Sequence, residues 1–333
     1  MMNNTTILAI ESSCDETAAA VVKNNNGIIS IESNVIASQA DIHAQYGGVI
    51  PEIAARNHST NIIPVIKQAL TEANVSHENI NTLAVTQGPG LMAALHVGVE
   101  TAKALAYAWE KPIIPINHME GHIYSSLANE KEIAFPILAL LVSGGHTQLV
   151  LMRKHGEYDI IGETMDDAVG EAFDKVAKML DLPYPGGPSI ENTAQSGNAE
   201  AIDFPRPMLD SADFNFSFSG LKTAVLYYIK DNPSFDKSDI AASFQTAAID
   251  VLIKKTEKAI KKYSPHIVII GGGVAANSLL RKKLQSLAKD KKRELRVPRE
   301  KTSADNAAMI GIAAMFKKPT SKNIVASPNL SLK

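Results

Sequence analysis

His118 and His122, in the segment Asn117-His118-Met119-Glu120-Gly121-His122, stand four residues apart. That separation puts two imidazoles on one face of a helix, where both can reach one divalent ion. Alone, the pair fits two unrelated histidines near a helix start equally well. Other segments add chemistry of a matching kind. Three apolar runs end in small or polar turns: Glu-Ser-Ser-Cys-Asp-Glu-Thr at 11–17, Ser-Gly-Gly-His-Thr at 143–147 and Gly-Gly-Gly-Val-Ala-Ala-Asn at 271–277. Ligands of open sheets bind beyond the carboxyl ends of strands. Glycine there lets backbone N–H groups approach phosphate oxygens. The 143–147 segment suits a phosphate-holding hairpin, with Ser143 and Thr147 as hydroxyl donors; a plain tight turn is the alternative. The triple glycine offers a nucleobase or ribose a flat backbone surface, with Asn277 as a hydrogen-bonding partner. Its spacing lacks G-x-G-x-x-G, which argues against a dinucleotide site of the Rossmann type.

Further polar residues have both a chemical and a structural reading. Asp15 and Glu16 are paired acids in the first turn, suited to handling a metal, water or amine, or simply solvated. Asp174 falls early on a helix, where an acid also favours the helix dipole. Pro185-Gly186-Gly187-Pro188 reads as a rigid bend in which Gly187 can approach a ligand. Asp305 opens the last helix and is a candidate anionic metal ligand, with Ser303 as that helix's natural N-cap. The basic run 289–301 interleaves Lys and Arg with few aromatics; a solvated face is its ordinary role and a nucleic-acid contact the alternative. Cys14 reads as a small filler residue.

The elements that must position these groups follow from periodicity. Strands are expected at 7–10, 18–22 and 28–36, with Asn24-Asn25-Asn26-Gly27 as a hairpin turn. Helix (52–73), strand (83–86), helix (91–109) and strand (112–116) follow, then the histidine helix. The order then restarts: strands at 137–142, 148–152 and 158–162, helices at 171–180 and 239–263, a strand at 266–270 and a helix at 277–287. This repeated βββαβα order predicts a duplicated α/β protein. Residues 182–219 read as irregular, and the polar tail from Pro319 as frayed.

The chain has 333 residues, 45% of them hydrophobic and 20% charged, with a formal net charge of -2. That length favours two lobes, and that charge gives no global pull toward nucleic acid or an acidic membrane. A single cysteine excludes an intramolecular disulfide and fits a reducing, cytoplasmic setting. No signal peptide is evident, and the apolar stretch near 133–142 is too short to span a bilayer.

Taken in order, these segments resemble a known family across nearly the whole chain. The region 103–123, in which a Lys precedes a Pro and then the His-x-x-x-His pair, follows the signature of the bacterial tRNA N6-adenosine threonylcarbamoyltransferase (TsaD) family, departing at Glu110. The Glu-Ser-Ser-Cys-Asp-Glu-Thr, Val-Ser-Gly-Gly-His-Thr, Gly-Glu-Ala-Phe-Asp-Lys, Tyr-Pro-Gly-Gly-Pro, Phe-Ser-Phe-Ser-Gly-Leu-Lys and Gly-Gly-Gly-Val-Ala-Ala-Asn segments match as well. The resemblance implies the two-lobed actin/Hsp70/sugar-kinase fold built from duplicated RNase H-like units. The expected division is 1–117 plus 303–333 for the N-terminal lobe and 118–302 for the C-terminal lobe, with the active site in the cleft. It implies one divalent ion, ferrous iron or alternatively zinc, on His118, His122 and Asp305, gripped jointly by both halves. It implies a nucleotide-like substrate on Leu141, Val142, Ser143, Gly144, Gly145, Asp174, Gly187, Glu191 and Asn277. Many relatives have Asp at the position of Glu191. Some carry a Tyr metal contact where this chain has Leu141, which excludes a side-chain ligand there.

The implied reaction moves a threonylcarbamoyl group from threonylcarbamoyl-AMP to the N6 amine of the adenosine beside the anticodon, with Asp15 and Glu16 positioning the reacting groups. The implied partners are tRNA, a smaller inactive paralogue, a small P-loop ATPase and a separate synthase that makes the donor; no membrane is involved. Three rival readings fit the chain less well. A zinc protease would place Glu directly after the first His, where this chain has Met119, and the inverted form fails at Gly121. A sugar kinase or chaperone-type ATPase of the same fold does not need the histidine pair, and the scaffolding paralogue lacks it.

Overall fold

In a computed structural model, residues 4–127, 133–298, 304–320 and 323–332 are described. They form two compact units, 1–133 with 298–333 and 134–297.

The first unit holds strands β1 (Thr5–Glu11), β2 (Glu16–Asn25), β3 (Ile28–Ser38), β4 (Thr82–Gly88) and β5 (Ile113–Asn117) in the order β3-β2-β1-β4-β5. β1 pairs antiparallel with β2 and parallel with β4. Ile7, Leu8, Ala9 and Ile10 are all buried, as an apolar run covered on both sheet faces must be. Asn26 and Gly27 turn the β2–β3 hairpin with positive φ, the geometry that Asn-Gly favours. Helices α1 (Ala40–Ala44), α2 (Pro51–Glu72) and α3 (Met92–Ala108) follow in sequence, and α4 (His118–Ser125) starts directly after β5.

The second unit repeats this order. Strands β6 (Ile137–Val142), β7 (Thr147–Lys154), β8 (Glu157–Glu163), β9 (Ile267–Gly271) and β10 (Glu294–Arg296) form the sheet β8-β7-β6-β9-β10. Its pairing is again antiparallel over the three-strand meander and parallel beyond it. The duplicated architecture expected from the sequence is therefore present strand for strand. Helices α5 (Val169–Met179), α6 (Gly186–Ala194), α7 (Ser219–Asp231), α8 (Lys237–Tyr263) and α9 (Ser278–Asp290) complete this unit. The last helix, α10 (Ala307–Ala314), returns to the first unit.

Several expectations need correction. The segment 182–219 is not irregular throughout: α6 lies within it, hidden by a Gly-Gly-Pro start that carries poor helix propensity. The bend at Pro185 to Pro188 is the first turn of that helix. β10 lies inside the basic run, which is thus partly sheet; residues 299–301 of the run and Ser303 fall outside the described residues. α10 is capped by Asn306, whose side chain accepts from the Met309 amide at 3.0 Å, and Asp305 precedes the helix. The histidine helix belongs to the first unit, not to the start of the second. The tail packs: Ile324, Ala326 and Leu332 are buried, and the Ser327 amide donates to Gln87 O at 2.8 Å. Its few apolar residues are dispersed among polar neighbours, which hides them from a reading of composition.

α10 is apolar all round and fully buried. Gly311 lets it lie against the sheet, for a Cβ there would sit 2.5 Å from Val22 Cγ2 and 3.3 Å from Ala9 Cβ. Gly311→Ala is therefore expected to destabilise the chain by about 1–3 kcal/mol through overpacking, despite a helix-propensity gain of about 1 kcal/mol. The urea midpoint reads this out; a midpoint at or above that of the parent chain would contradict the packing.

Candidate metal centre and ligand turns

α4 begins where β5 ends because Asn117 caps it, its side chain accepting from the Met119 amide at 2.9 Å. All eight residues of α4 are buried, so its polar groups must find partners. Gly121 gives α10 close access, since a Cβ there would meet Ile310 Cδ1 at 2.9 Å and Met309 Cγ at 3.1 Å. Two further contacts fasten the pair: Lys317 Nζ to Glu120 Oε2 at 2.5 Å, and Tyr124 stacked on Phe316 at 4.6 Å. This packing brings the segment before α10 up to the histidines.

The result is a triangle of ligand atoms. His118 Nε2 and His122 Nε2 are 3.1 Å apart, and Asp305 Oδ1 lies 3.4 Å from the first and 3.2 Å from the second. An ion with bonds of about 2.0–2.2 Å to each would separate neighbouring ligand atoms by roughly 3–3.4 Å. The three residues therefore fit one ion, and they form the His/His/Asp group of the described residues with metal-ligand geometry. Two histidines and one carboxylate leave coordination positions open, as catalytic zinc and non-haem iron sites do. The expected triad is assembled, but one expectation fails: all three ligands come from the first unit, not jointly from both halves.

The sequence reading passed over Glu11. This wholly buried carboxylate ends β1 and accepts from the Ser13 amide at 2.5 Å, the Thr86 hydroxyl at 2.6 Å and His118 Nδ1 at 3.0 Å. Ser13 Oγ lies 3.2 Å from the same ring nitrogen. The Glu11 bond places a proton on Nδ1 and makes Nε2, which faces Asp305 and His122, the nitrogen that would bind an ion, the arrangement in which a carboxylate orients a metal-binding imidazole. A carboxylate closing an otherwise apolar strand was the available signal.

The electrostatics agree. Burial opposes charge on every member, yet the Asp305 and Glu11 carboxylates raise His118 well above the usual imidazole range. Burial likewise disfavours the Asp305 anion, but His118 and His122 hold its carboxyl well below the ordinary value. Glu11 is lowered too, His118 outweighing its desolvation. Two carboxylates, buried Glu11 and half-buried Asp305, thus face this point, an environment that favours a cation.

Asp15 and Glu16, the expected positioning acids, lie half-buried at the start of β2. Burial first, and then Asp15 and Asp305, push Glu16 up to about 9, which places it within electrostatic reach of the triad. Burial also drives the Cys14 thiol well above its ordinary value, consistent with a filler role.

The remaining expected residues gather in the second unit. Leu141 and Val142 end β6 with buried side chains, so only their backbone can face a ligand. The next turn closes on itself, with the Ser143 amide donating to His146 O at 2.8 Å and the His146 amide to Ser143 Oγ at 3.1 Å. Thr147 Oγ1 accepts from the Val169 amide at 2.8 Å, which commits it to the start of α5. β9 is the parallel neighbour of β6, so the triple-glycine turn emerges beside this one. Gly144, Gly145, Gly187 and Gly273 each face open space where a Cβ would go.

Side chains expected to touch the ligand also tie these turns together. Asp174 Oδ1 accepts from the Gly186 amide at 2.8 Å, and Glu191 Oε1 from the Ser278 amide at 2.8 Å. Asn277 caps α9 through Leu280 N at 3.0 Å and donates to Gln245 Oε1 at 2.7 Å. What remains is a backbone surface of bare glycines and helix starts, which suits a phosphate-bearing ligand.

The fold falls in the actin-like ATPase class. Similar solved structures include full-length HypF in its phosphate- and nucleotide-bound form, at a TM-score of 0.63 and 14% identity over 94% of this chain and 55% of that one. Another is the activator of the 2-hydroxyisocaproyl-CoA dehydratase from Clostridium difficile with bound ADPNP, at a TM-score of 0.53 and 14% identity over 93% of this chain and 94% of that one. The model of the family described as tRNA N6-adenosine threonylcarbamoyltransferase matches residues 30–312. Relatives of that name are 49% identical over 320 residues in Staphylococcus haemolyticus, covering 95% of this chain and 92% of the relative, and 52% identical over 310 residues in Geotalea uraniireducens, covering 92% and 89%. The chain belongs to the tRNA N6-adenosine threonylcarbamoyltransferase family and is a tRNA-modifying transferase.

If Glu11 orients His118, Glu11→Gln should retain the fold and weaken binding of a divalent ion by about 10–100-fold. Competition titration against a chromophoric chelator measures this; unchanged affinity would remove Glu11 from the centre.

Proposed function

We propose that this chain transfers the threonylcarbamoyl group of threonylcarbamoyl-AMP to the N6 amine of the adenosine next to the anticodon, in tRNAs reading codons that start with adenine, and releases AMP. In this step the amine nitrogen forms a bond to the acyl carbon, and the bond from that carbon to the phosphate oxygen breaks. The observation that carries the reading is the triangle of His118, His122 and Asp305, with Glu11 fixing the tautomer of His118.

The divalent ion assigned to the triad, ferrous iron with zinc as the alternative, supplies Lewis acidity toward a carbonyl or phosphoryl oxygen. The protein's own groups do the rest. Backbone N–H groups of Gly144, Gly145 and Gly187 hold the phosphate, and the bare faces of Gly187 and Gly273 admit the nucleoside. Val142 and Leu141 shape the base of that surface, while Asp174, Glu191 and Asn277 keep its turns in register. Asp15 and Glu16 position the incoming amine. Glu16, protonated at neutral pH, can donate a hydrogen bond where charge develops. The near-neutral charge supports shared binding of tRNA with a smaller inactive paralogue and a small P-loop ATPase, and a separate synthase supplies the donor. Among the described residues no helix is long and apolar enough to cross a membrane; a cytoplasmic site of action is part of the proposal.

Reconstitution with synthase, paralogue, ATPase, threonine, bicarbonate, ATP and unmodified tRNA, read by mass spectrometry of the nucleosides, tests the reaction. His118→Ala is expected to abolish the modified adenosine; full modification by that variant would make the chain a scaffold. Gly145→Val meets open space and should leave the melting temperature unchanged. It should raise the KM for the donor about tenfold or more, which corresponds to about 1.4 kcal/mol. A parent-like KM would take the 143–145 turn out of the donor site.

A further inference from the structure

α2 carries a polar residue where its pattern calls for an apolar one. Ala54, His58, Ile62, Val65, Ile66 and Ala69 form its buried stripe, and His58 is fully enclosed in it. A buried imidazole in an apolar stripe is unfavourable unless both nitrogens are satisfied. Here both are, and both partners lie in the acidic turn. His58 Nε2 is 2.9 Å from Cys14 O, and His58 Nδ1 is 2.7 Å from Thr17 Oγ1.

The chemistry of the partners fixes the tautomer. A carbonyl oxygen only accepts, so Nε2 carries the proton, and Nδ1 then accepts from the Thr17 hydroxyl. The next carbonyl is also held, because the Gln39 amide donates to Asp15 O at 3.1 Å, while Gln39 Nε2 donates to Ala54 O, one helical turn before His58. The backbone on either side of Asp15 is thus fastened to α2 and to the residue that precedes α1.

We propose that His58 is a positioning residue for the transfer reaction: it clamps the 14–17 turn so that Asp15 and Glu16 present their carboxyl groups at one fixed place beside the metal triad. This rests on the proposed roles of Asp15 and Glu16. His58 itself touches neither the triad nor a substrate. A leucine in its place would extend the apolar stripe and remove both bonds without opening a cavity.

The test is steady-state kinetics in the reconstituted modification reaction. His58→Leu should bind metal as the parent does. The two polar groups left unpaired, Cys14 O and the Thr17 hydroxyl, should lower its melting temperature while leaving it folded. It should leave the KM for tRNA within about threefold and lower kcat by about 10–100-fold, the scale set by small misplacement of reacting groups. Thr17→Val should lower kcat in the same direction, and Thr17→Ser, which keeps the hydroxyl, should restore it. Amide exchange at Gln39 should quicken in His58→Leu while the central amides of α2 stay protected. Asp15→Asn and Glu16→Gln are measured alongside. If they lower kcat and both His58→Leu and Thr17→Val retain it, the clamp is overturned while the roles of the acids stand. If the acid variants themselves retain full kcat, the roles of the acids fail and the proposal falls with them. Should His58→Leu not fold, the Thr17→Val and Thr17→Ser pair decides alone: equal kcat in both overturns the proposal.

Discussion

A single buried carboxylate carries much of this centre. Glu11 follows the wholly apolar run Ile7 to Ile10 at the end of its strand, and an ion there would be strongly disfavoured without compensation. Three donors converge on it from three places in the chain: its own turn, β4 and α4. Each of these bonds constrains a different element. Together they fix the height of α4 relative to the sheet and the rotation of the first imidazole. The geometry of the triad follows from that, since His122 lies one turn further along the same helix and can only approach its neighbour edge-on, at 84° between ring planes.

The second requirement is that α4 and α10 lie close. Small residues make this possible, Gly121 at their mutual contact and Gly311 against the sheet. The two helices occupy corresponding places in the duplicated topology, each following the fifth strand of its repeat. His118 and Asp305 therefore come from equivalent junctions, one in each repeat, although both end in the same unit. The second repeat keeps its own version of the open strand ends and lines them with bare glycine, so the two sheets are alike in topology and differ in chemistry.

Much of this was legible in the chain. The continuous apolar runs of β1 and β6 announced central strands, and the Asn-Gly turn gave the first hairpin its register. The four-residue histidine spacing and the glycine clusters marked the triad and the ligand turns, and the family resemblance joined Asp305 to them. What escaped had physical causes. α6 begins with residues that local propensity disfavours in helices, and β10 is short and sits among lysines. Glu11 read as part of a polar turn because the partners that hold it, Thr86 and His118, are remote in sequence. Asp174, Glu191 and Asn277 have backbone or side-chain partners that spacing alone does not show. His58 lies within the helix expected at 52–73, and periodicity records where a residue faces but not what it bonds.

The discontinuity of the first unit orders its assembly in time. During synthesis both imidazoles leave the ribosome well before the aspartate that completes their triangle, with an entire second repeat translated in between. Until α10 arrives, β1 and β2 lack the apolar cover that Gly311 seats against them, and only two of the three candidate ligands are present. The complete triangle, the arrangement that could hold an ion, is thereby deferred to the end of translation.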